Sequence, residues 1–203
     1  MFFVGINNTK LIGFLKKRGG LAGYAEIIEA GFNKDILESV LNSGQIQKID
    51  RGLYRLTSGA LLSNPDLVAA SIKVPKGIIC LLSALAYHEA TSEIPRYVQL
   101  AIPRGAHANK IKYPPVKFYR YAPNIWEEGL EEHEIEGHKV RVYSLARTVV
   151  DCFKFRNKIG LDVAREALKV AITEKGIKPK EIMRYAGICR VEKIVKPILE
   201  AII

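Results

Sequence analysis

The pattern of apolar and polar positions predicts three short helices and then a β-hairpin in the first sixty residues. Apolar side chains recur at helical spacing within residues 7–17, 22–30 and 33–42. Glycines follow each of these segments, and Asn33 stands where its side chain can cap the third helix. Alternating residues then occupy positions on either side of the turn Asp50-Arg51-Gly52, which is typical of a hairpin.

Three helices and a hairpin in this order predict a winged helix-turn-helix domain over residues 1–58. Lys48, Arg51 and Arg55 lie in or beside the hairpin, where cations can meet phosphates or a minor groove. The third helix carries Asp35 and Glu38 on its exposed face, and carboxylates repel phosphates unless they accept from a cytosine amino group. We therefore expect phosphate contacts from the hairpin more than base readout by the helix.

The remainder, residues 64–203, is predicted to form an α/β domain with a small, mostly antiparallel sheet and a helical C-terminus. Strand patterns cover 97–103, 116–121 and 133–144, with a hairpin turn expected at Glu136-Gly137. Helical patterns precede and follow them, and we expect helices at 65–72, 78–89, 145–155, 161–175, 179–186 and 191–203. The fold class is therefore α+β.

The net charge favours a polyanionic or acidic partner. The chain has 31 Lys and Arg against 21 Asp and Glu, a formal charge of +10. The excess is concentrated at the two ends of the chain, and the C-terminal part carries bases on several predicted helices. Lysine-rich outer faces are routine, so these helices are either a solvated surface or a contact surface.

The chain offers few signs of catalysis, metal binding or export. Cys80, Cys152 and Cys189 are widely spaced among apolar neighbours, which indicates buried free thiols. His133 and His138 are five residues apart on a predicted hairpin, a spacing that does not suit a zinc protease helix. No run approaches the ~20 apolar residues of a membrane span, and no secretory signal is evident. We expect a cytoplasmic protein that is not an enzyme and needs no cofactor.

Five segments occur in the order seen in one known family. They are residues 51–55 (RGLYR), 82–88 (LSALAYH), 102–105 (IPRG), 144–151 (SLARTVVD) and 160–168 (GLDVAREAL). On these segments the chain resembles AbiEi-type antitoxins, the transcriptional regulators of type IV toxin-antitoxin systems, from about Gly20 to Lys175.

The resemblance implies a transcriptional autorepressor that binds inverted repeats in the double-stranded DNA of its own promoter. It also implies an antitoxin that counters a cognate nucleotidyltransferase toxin without tight, permanent binding. The family's promoter contacts fall here on Lys34, Ser39, Lys48, Arg51 and Arg55. Its antitoxin-region motif falls on Ser83, His88, Arg104, Arg147 and Asp151.

Other interpretations of the same residues stay open. His88 can be a core histidine satisfied by a local partner, and Arg147 and Asp151, four residues apart, can form an ion pair that fixes their helix to the sheet. The whole chain can also be a nuclease with a winged-helix head, or a protein-interaction module, because fold alone does not fix function.

Overall fold

The computed structural model describes residues 2–59, 62–108 and 110–203, and their fold is α+β. The described residues contain ten α-helices, one short 3-10 helix and eight strands. The helices are α1 (Phe2–Lys17), α2 (Tyr24–Glu29), α3 (Lys34–Asn42), α4 (Pro65–Lys73), α5 (Leu81–Tyr87), α6 (Leu145–Lys154), α7 (Arg156–Ile159), α8 (Leu161–Thr173), α9 (Pro179–Cys189) and α10 (Glu192–Glu200). The strands are β1 (Leu21–Gly23), β2 (Ile46–Asp50), β3 (Leu53–Leu56), β4 (Ile78–Ile79), β5 (Val98–Pro103), β6 (Val116–Tyr121), β7 (Leu130–Ile135) and β8 (His138–Tyr143).

The chain divides into two compact units. The first comprises residues 1–76, 109–115 and 133–140, and the second comprises 77–108, 116–132 and 141–203. The boundary expected from the sequence, at residues 58–64, therefore lies inside the first unit. Two later segments of the chain also belong to that unit.

The first unit contains a three-stranded antiparallel sheet and the helices around it. The strand order is β1-β3-β2, with Leu21 opposite Arg55 and Ile46 opposite Leu56. Helices α2 and α3 and the β2–β3 hairpin lie within two residues of their predicted positions, whereas α1 begins at Phe2, five residues before its predicted start. Strand β1 was not predicted, because three residues carry no measurable periodicity and its pairing partner β3 lies far along the chain.

The core of the first unit follows from the helical spacing of its apolar residues. Leu11 and Leu15 of α1 are fully buried, as are Ile27 of α2 and Val40 of α3. The predicted cap of α3 is confirmed, because the Asn33 Oδ1 accepts a hydrogen bond from the Ile36 amide at 3.0 Å. Satisfying one of the free amides at a helix start stabilises the helix by roughly 1 kcal/mol.

The second sheet is mixed, so the expectation of a mostly antiparallel sheet is wrong. Its order is β6-β5-β4-β8-β7. Strands β5 and β6 run parallel, β4 and β8 run parallel, and β4 and β5 run antiparallel. The connection between β5 and β6, residues 104–115, is long enough for the crossover that parallel neighbours need. The β7–β8 hairpin around Glu136-Gly137 is confirmed.

The predicted helix over 78–89 is also corrected. Ile78 and Ile79 form the central strand β4, opposite Ala101 and Leu100 of β5, and the helix begins only at Leu81. A short, fully apolar run suits a buried strand as well as a buried helix, and periodicity alone does not distinguish them. Ile78 and Ile79 form a strand because β5 and β8 pair with β4 on its two sides.

The helices of the second unit pack around one apolar core. All nine residues from Leu145 to Phe153 of α6 are buried, and α8 and α9 pack against that helix. Cys80, Cys152 and Cys189 are free and buried in the same core. Within residues 2–59, 62–108 and 110–203, no helix combines the length and the apolar character needed to cross a membrane.

Candidate functional site

The β2–β3 hairpin presents cations to solvent. Lys48, Arg51 and Arg55 are all exposed. Gly52 has a φ of +70°, a conformation that glycine adopts without strain, and its carbonyl accepts a hydrogen bond from the Tyr24 amide at 2.8 Å. This bond ties the hairpin turn to the start of α2, so the turn is held in place by the first unit rather than projecting freely.

An open groove of about 960 Å³ lies beside this turn, entirely within the first unit. We call it the basic groove. Five of its lining side chains are cations and Asp50 is its one acid. The lining residues are Lys48, Ile49, Asp50, Arg51, Gly52, Lys73, Lys110, Ile111 and Lys112.

Asp50, in the lining of the groove, is held by several donors. Its Oδ1 accepts from the Arg51 amide at 2.7 Å, and its Oδ2 lies 3.2 Å from the Lys73 Nζ. The Oδ2 also accepts weaker bonds from the amides of Lys112 at 3.4 Å and Tyr113 at 3.5 Å. Burial acts to raise the pKa of Asp50, but the amide donors and Lys73 outweigh it, so the pKa lies below its usual value.

The other cations of the basic groove are not neutralised. Lys48, Arg51, Lys110 and Lys112 are exposed, and none of them forms an ion pair with a carboxylate among the described residues. Lys73 compensates Asp50, so the groove keeps an uncompensated excess of four positive charges. A concave surface of one charge sign concentrates ions of opposite charge, which here are anions such as phosphates.

Helix α3 offers a weaker anion surface than the hairpin. Lys34 is paired with Glu38, with Nζ and Oε1 3.3 Å apart, and Asp35 beside them is exposed. The Ser39 hydroxyl is half-buried and accepts a hydrogen bond from the Asn8 Nδ2 at 2.8 Å. Of the two candidate contacts on this helix, one is thus neutralised and the other binds α1.

Ser83, His88 and Arg104 lie in the second unit, in different settings. Ser83 is buried, and its Oγ accepts from the Gln99 amide at 3.0 Å. His88 follows α5, and its Nε2 lies 2.8 Å from the Tyr143 carbonyl, which only accepts, so this ring nitrogen carries the proton. Arg104 follows β5 with an exposed side chain. Ser83 and His88 therefore hold the second unit together, while Arg104 alone of the three faces solvent.

Arg147 and Asp151 form a buried ion pair in the same unit. The Arg147 Nε donates to the Asp151 Oδ2 at 3.0 Å, and both side chains are 0% exposed. The Cys189 thiol donates to the other carboxylate oxygen at 3.3 Å. Burial raises the pKa of Asp151 against the opposing effects of Arg147 and Cys189. Burial also raises the pKa of Cys189, to about 12, so its thiol stays protonated and is not a nucleophile at neutral pH.

His138 also has a structural role. It is buried at the start of β8, and its Nε2 donates to the Arg18 carbonyl at 3.0 Å. Its Nδ1 lies 3.2 Å from the Glu26 carboxylate. Among the residues that the structure describes, no three metal-ligating side chains come together.

The structure thus brings together only part of the predicted promoter-contact set and adds residues to it. Lys48 and Arg51 line the basic groove, whereas Arg55 lies on β3 opposite Gln47, and Lys34 and Ser39 lie on α3. Sequence reasoning missed Lys73, Lys110 and Lys112. The two bases at 110 and 112 are a visible local signal, but their spacing gives no indication that they lie next to the hairpin.

Comparison with known proteins identifies a solved structure with a similar fold and no matching family. No protein-family model and no curated protein matches this chain. The crystal structure of the RV2827C protein from Mycobacterium tuberculosis is similar, with a TM-score of 0.64 and 10% sequence identity. The similarity covers 95% of this chain and 75% of that one. At this identity it shows a shared fold alone.

Proposed function

We propose that this protein is a DNA-binding transcriptional autorepressor that also acts as an antitoxin of a type IV toxin-antitoxin pair. One observation carries the DNA-binding half: the exposed hairpin cations Lys48 and Arg51 line a groove in which five cationic side chains outnumber one acid. Such a surface suits the phosphate backbone of double-stranded DNA, which supplies most of the sequence-independent binding free energy of DNA-binding proteins.

The order of elements in the first unit supports a winged helix-turn-helix. Helix α1, strand β1, helices α2 and α3 and the β2–β3 hairpin follow one another, and the hairpin corresponds to the wing. In helix-turn-helix proteins the second helix of the motif enters the major groove while other elements contact the backbone. Helix α3 would be the recognition helix here.

The charges favour backbone contact by the hairpin over base contact by α3. The Lys34–Glu38 pair and the exposed Asp35 leave the outer face of α3 without a net positive charge. Phosphate contacts position a protein on DNA, and base contacts give sequence specificity. We therefore propose that the hairpin supplies most of the affinity, and that the few neutral polar groups of α3 supply the sequence preference for the promoter's inverted repeats.

A binding titration tests this half of the proposal. A labelled duplex with the inverted repeat from the gene's own promoter is titrated at several salt concentrations by fluorescence anisotropy. We expect Lys48→Ala/Arg51→Ala to bind more weakly and to lower the slope of log K against log salt by about two. Lys180→Ala/Lys193→Ala removes the same charge from exposed sites of the second unit and is the matched control.

Two outcomes would contradict the proposal. A wild-type protein that does not bind the duplex even at low salt contradicts DNA binding, and an equal loss in the control variant contradicts the hairpin as the contact surface. Binding to a partner protein with no affinity for DNA at any salt would instead favour a docking module.

The antitoxin half rests on the resemblance of the motif order to AbiEi-type antitoxins. Three of its motif residues, Ser83, Arg147 and Asp151, are buried, so we propose that they maintain the second unit and that exposed residues such as Arg104 contact the partner. The test is coexpression with a nucleotidyltransferase encoded beside this gene. Growth rescued by wild-type protein and lost with Arg104→Ala supports the proposal, and growth arrest that the wild-type protein does not relieve contradicts it.

A further inference from the structure

We infer that residues 110–112 form a second cationic segment, called the arm, that contacts the same DNA backbone as the hairpin. We also infer that Asp50 positions this arm. The inference rests on the proposed DNA-binding function and adds to it a contact surface that the wing alone does not supply. Asp50 acts through other residues and does not itself touch DNA.

The basic groove is lined by cations from two separate segments of the chain, which we call its two walls. Lys48 and Arg51 belong to the hairpin, Lys110 and Lys112 belong to residues 110–112, and the Lys73–Asp50 ion pair lies in the same lining. Because both walls carry uncompensated cations, the groove suits a linear polyanion that passes between them. A single phosphodiester backbone of a duplex has this form, with regularly spaced negative charges.

Asp50 joins the two walls directly. One carboxylate oxygen accepts from the amide of Arg51 in the hairpin, and the other accepts from the amide of Lys112 in the arm and from that of Tyr113, which follows the arm directly. The side chain is only 7% exposed. A buried carboxylate that accepts from amides on both segments fixes one segment against the other.

A second bond anchors the end of the arm. The Tyr113 hydroxyl donates to the Asp66 Oδ1 at 2.8 Å, at the start of α4. Burial, together with this bond, raises the pKa of Tyr113 to about 12, so the hydroxyl keeps its proton. An arm held in place before binding loses less conformational entropy when its lysines meet phosphates.

Lys73 removes the electrostatic cost of an acid in the groove. Its Nζ lies 3.2 Å from the Asp50 Oδ2 and also donates to the Arg51 carbonyl at 2.7 Å. Charge alone predicts that removing an acid from a DNA-binding groove strengthens binding. If Asp50 positions the arm, its removal weakens binding instead, and the two explanations predict opposite signs.

A double-mutant cycle tests the inference. The full-length wild-type protein, Asp50→Asn, Lys110→Ala/Lys112→Ala and the triple variant are titrated with the promoter duplex at several salt concentrations. We expect the two lysine substitutions to lower the salt slope by about two and the affinity roughly tenfold or more. Asp50→Asn lowers the affinity about fivefold, and it has no further effect in the variant that already lacks both lysines.

Two controls separate positioning from general damage. Lys16→Ala/Lys139→Ala removes the same charge from exposed sites of the first unit outside the groove, and we expect its salt slope to change less. Hydrogen exchange of the Lys112 and Tyr113 amides accelerates in Asp50→Asn while exchange in the α3 helix stays unchanged. Accelerated exchange throughout the first unit would mean that the substitution only unfolds it, and would overturn the positioning role.

The experiment distinguishes a failure of the proposed DNA binding from a failure of the arm or of the positioning role of Asp50. If the wild-type protein does not bind DNA, the proposed function fails. If it binds and Lys110→Ala/Lys112→Ala binds equally well, the second arm is wrong while the proposed function stands. If Asp50→Asn binds DNA as tightly as the wild type or more tightly, the positioning role is wrong.

Discussion

Arg147 and Asp151 share a hydrogen-bonded ion pair whose two side chains are both fully buried, with Nε and Oδ2 3.0 Å apart. The Arg147 Nη1 donates to the carbonyls of Ile125 and Glu128, at 3.3 and 3.2 Å. The guanidinium also lies 5.0 Å from the ring centroid of Tyr143. A charge so thoroughly surrounded cannot reach a partner protein, and its loss leaves the opposite charge without compensation.

We therefore expect Arg147→Ala to destabilise the protein by about 3–5 kcal/mol, since the Asp151 carboxylate stays buried and unpaired. Urea unfolding measures this change. Lys34→Ala breaks an exposed pair with the same spacing and is expected to cost about 0.5 kcal/mol or less. Similar decreases in the free energy of unfolding in the two variants would mean that the buried Arg147 ion pair does not stabilise the second unit as proposed.

Gly129→Ala is expected to destabilise the second unit more than Gly176→Ala, which has a similar backbone φ but leaves room for the added Cβ. Gly129 has a φ of +75°, and an added Cβ would lie 2.8 Å from the Arg147 Cβ and 2.9 Å from the Tyr185 hydroxyl. Gly176 has a φ of +69° and no atom within 4 Å of such a Cβ, so Gly176→Ala measures the backbone term alone, about 1–2 kcal/mol. Thermal melting of both variants gives the difference, and equal losses would contradict the packing argument.

Glu38→Gln is expected to strengthen promoter binding. The substitution removes a carboxylate from the outer face of α3 and frees Lys34 from its ion pair. One additional phosphate contact corresponds to about fivefold in affinity near 0.15 M salt, given a slope of about 0.9 per contact. Fluorescence anisotropy measures this gain, with Glu174→Gln, an exposed acid of the second unit, as the control. Unchanged affinity would show that α3 does not face DNA.

The contribution of Asp50 to stability should depend on pH. Its pKa is lowered in the folded protein, so its contribution is present above the unfolded-state value near 3.8 and is lost as the pH falls through the folded-state pKa. The free energy of unfolding of the wild type should therefore exceed that of Asp50→Asn at neutral pH. The gap should close on the acid side of pH 4. Chemical denaturation across this range measures it, and a gap that is constant with pH would contradict the assigned bonds.

The sequence by itself determined most of the helices, both hairpins and the cap at Asn33, because these depend on residues near one another in the chain. It also placed Lys48 and Arg51 in or beside the first hairpin, where both are exposed. It missed α7 and the start of α5. It did not determine β1 or β4, since strands of two or three residues have no periodicity to detect and exist only through their sheet partners.

Only the tertiary structure decided the parallel pairing of β5 with β6 and the composition of the basic groove. Lys112 follows Asp50 by 62 positions, and the two meet because one carboxylate accepts from the arm's backbone. A side chain that bonds to distant amides leaves no trace in local periodicity. The fold's local elements were therefore predictable, whereas the surface that we propose binds DNA required the long-range contacts that bring separate basic segments together.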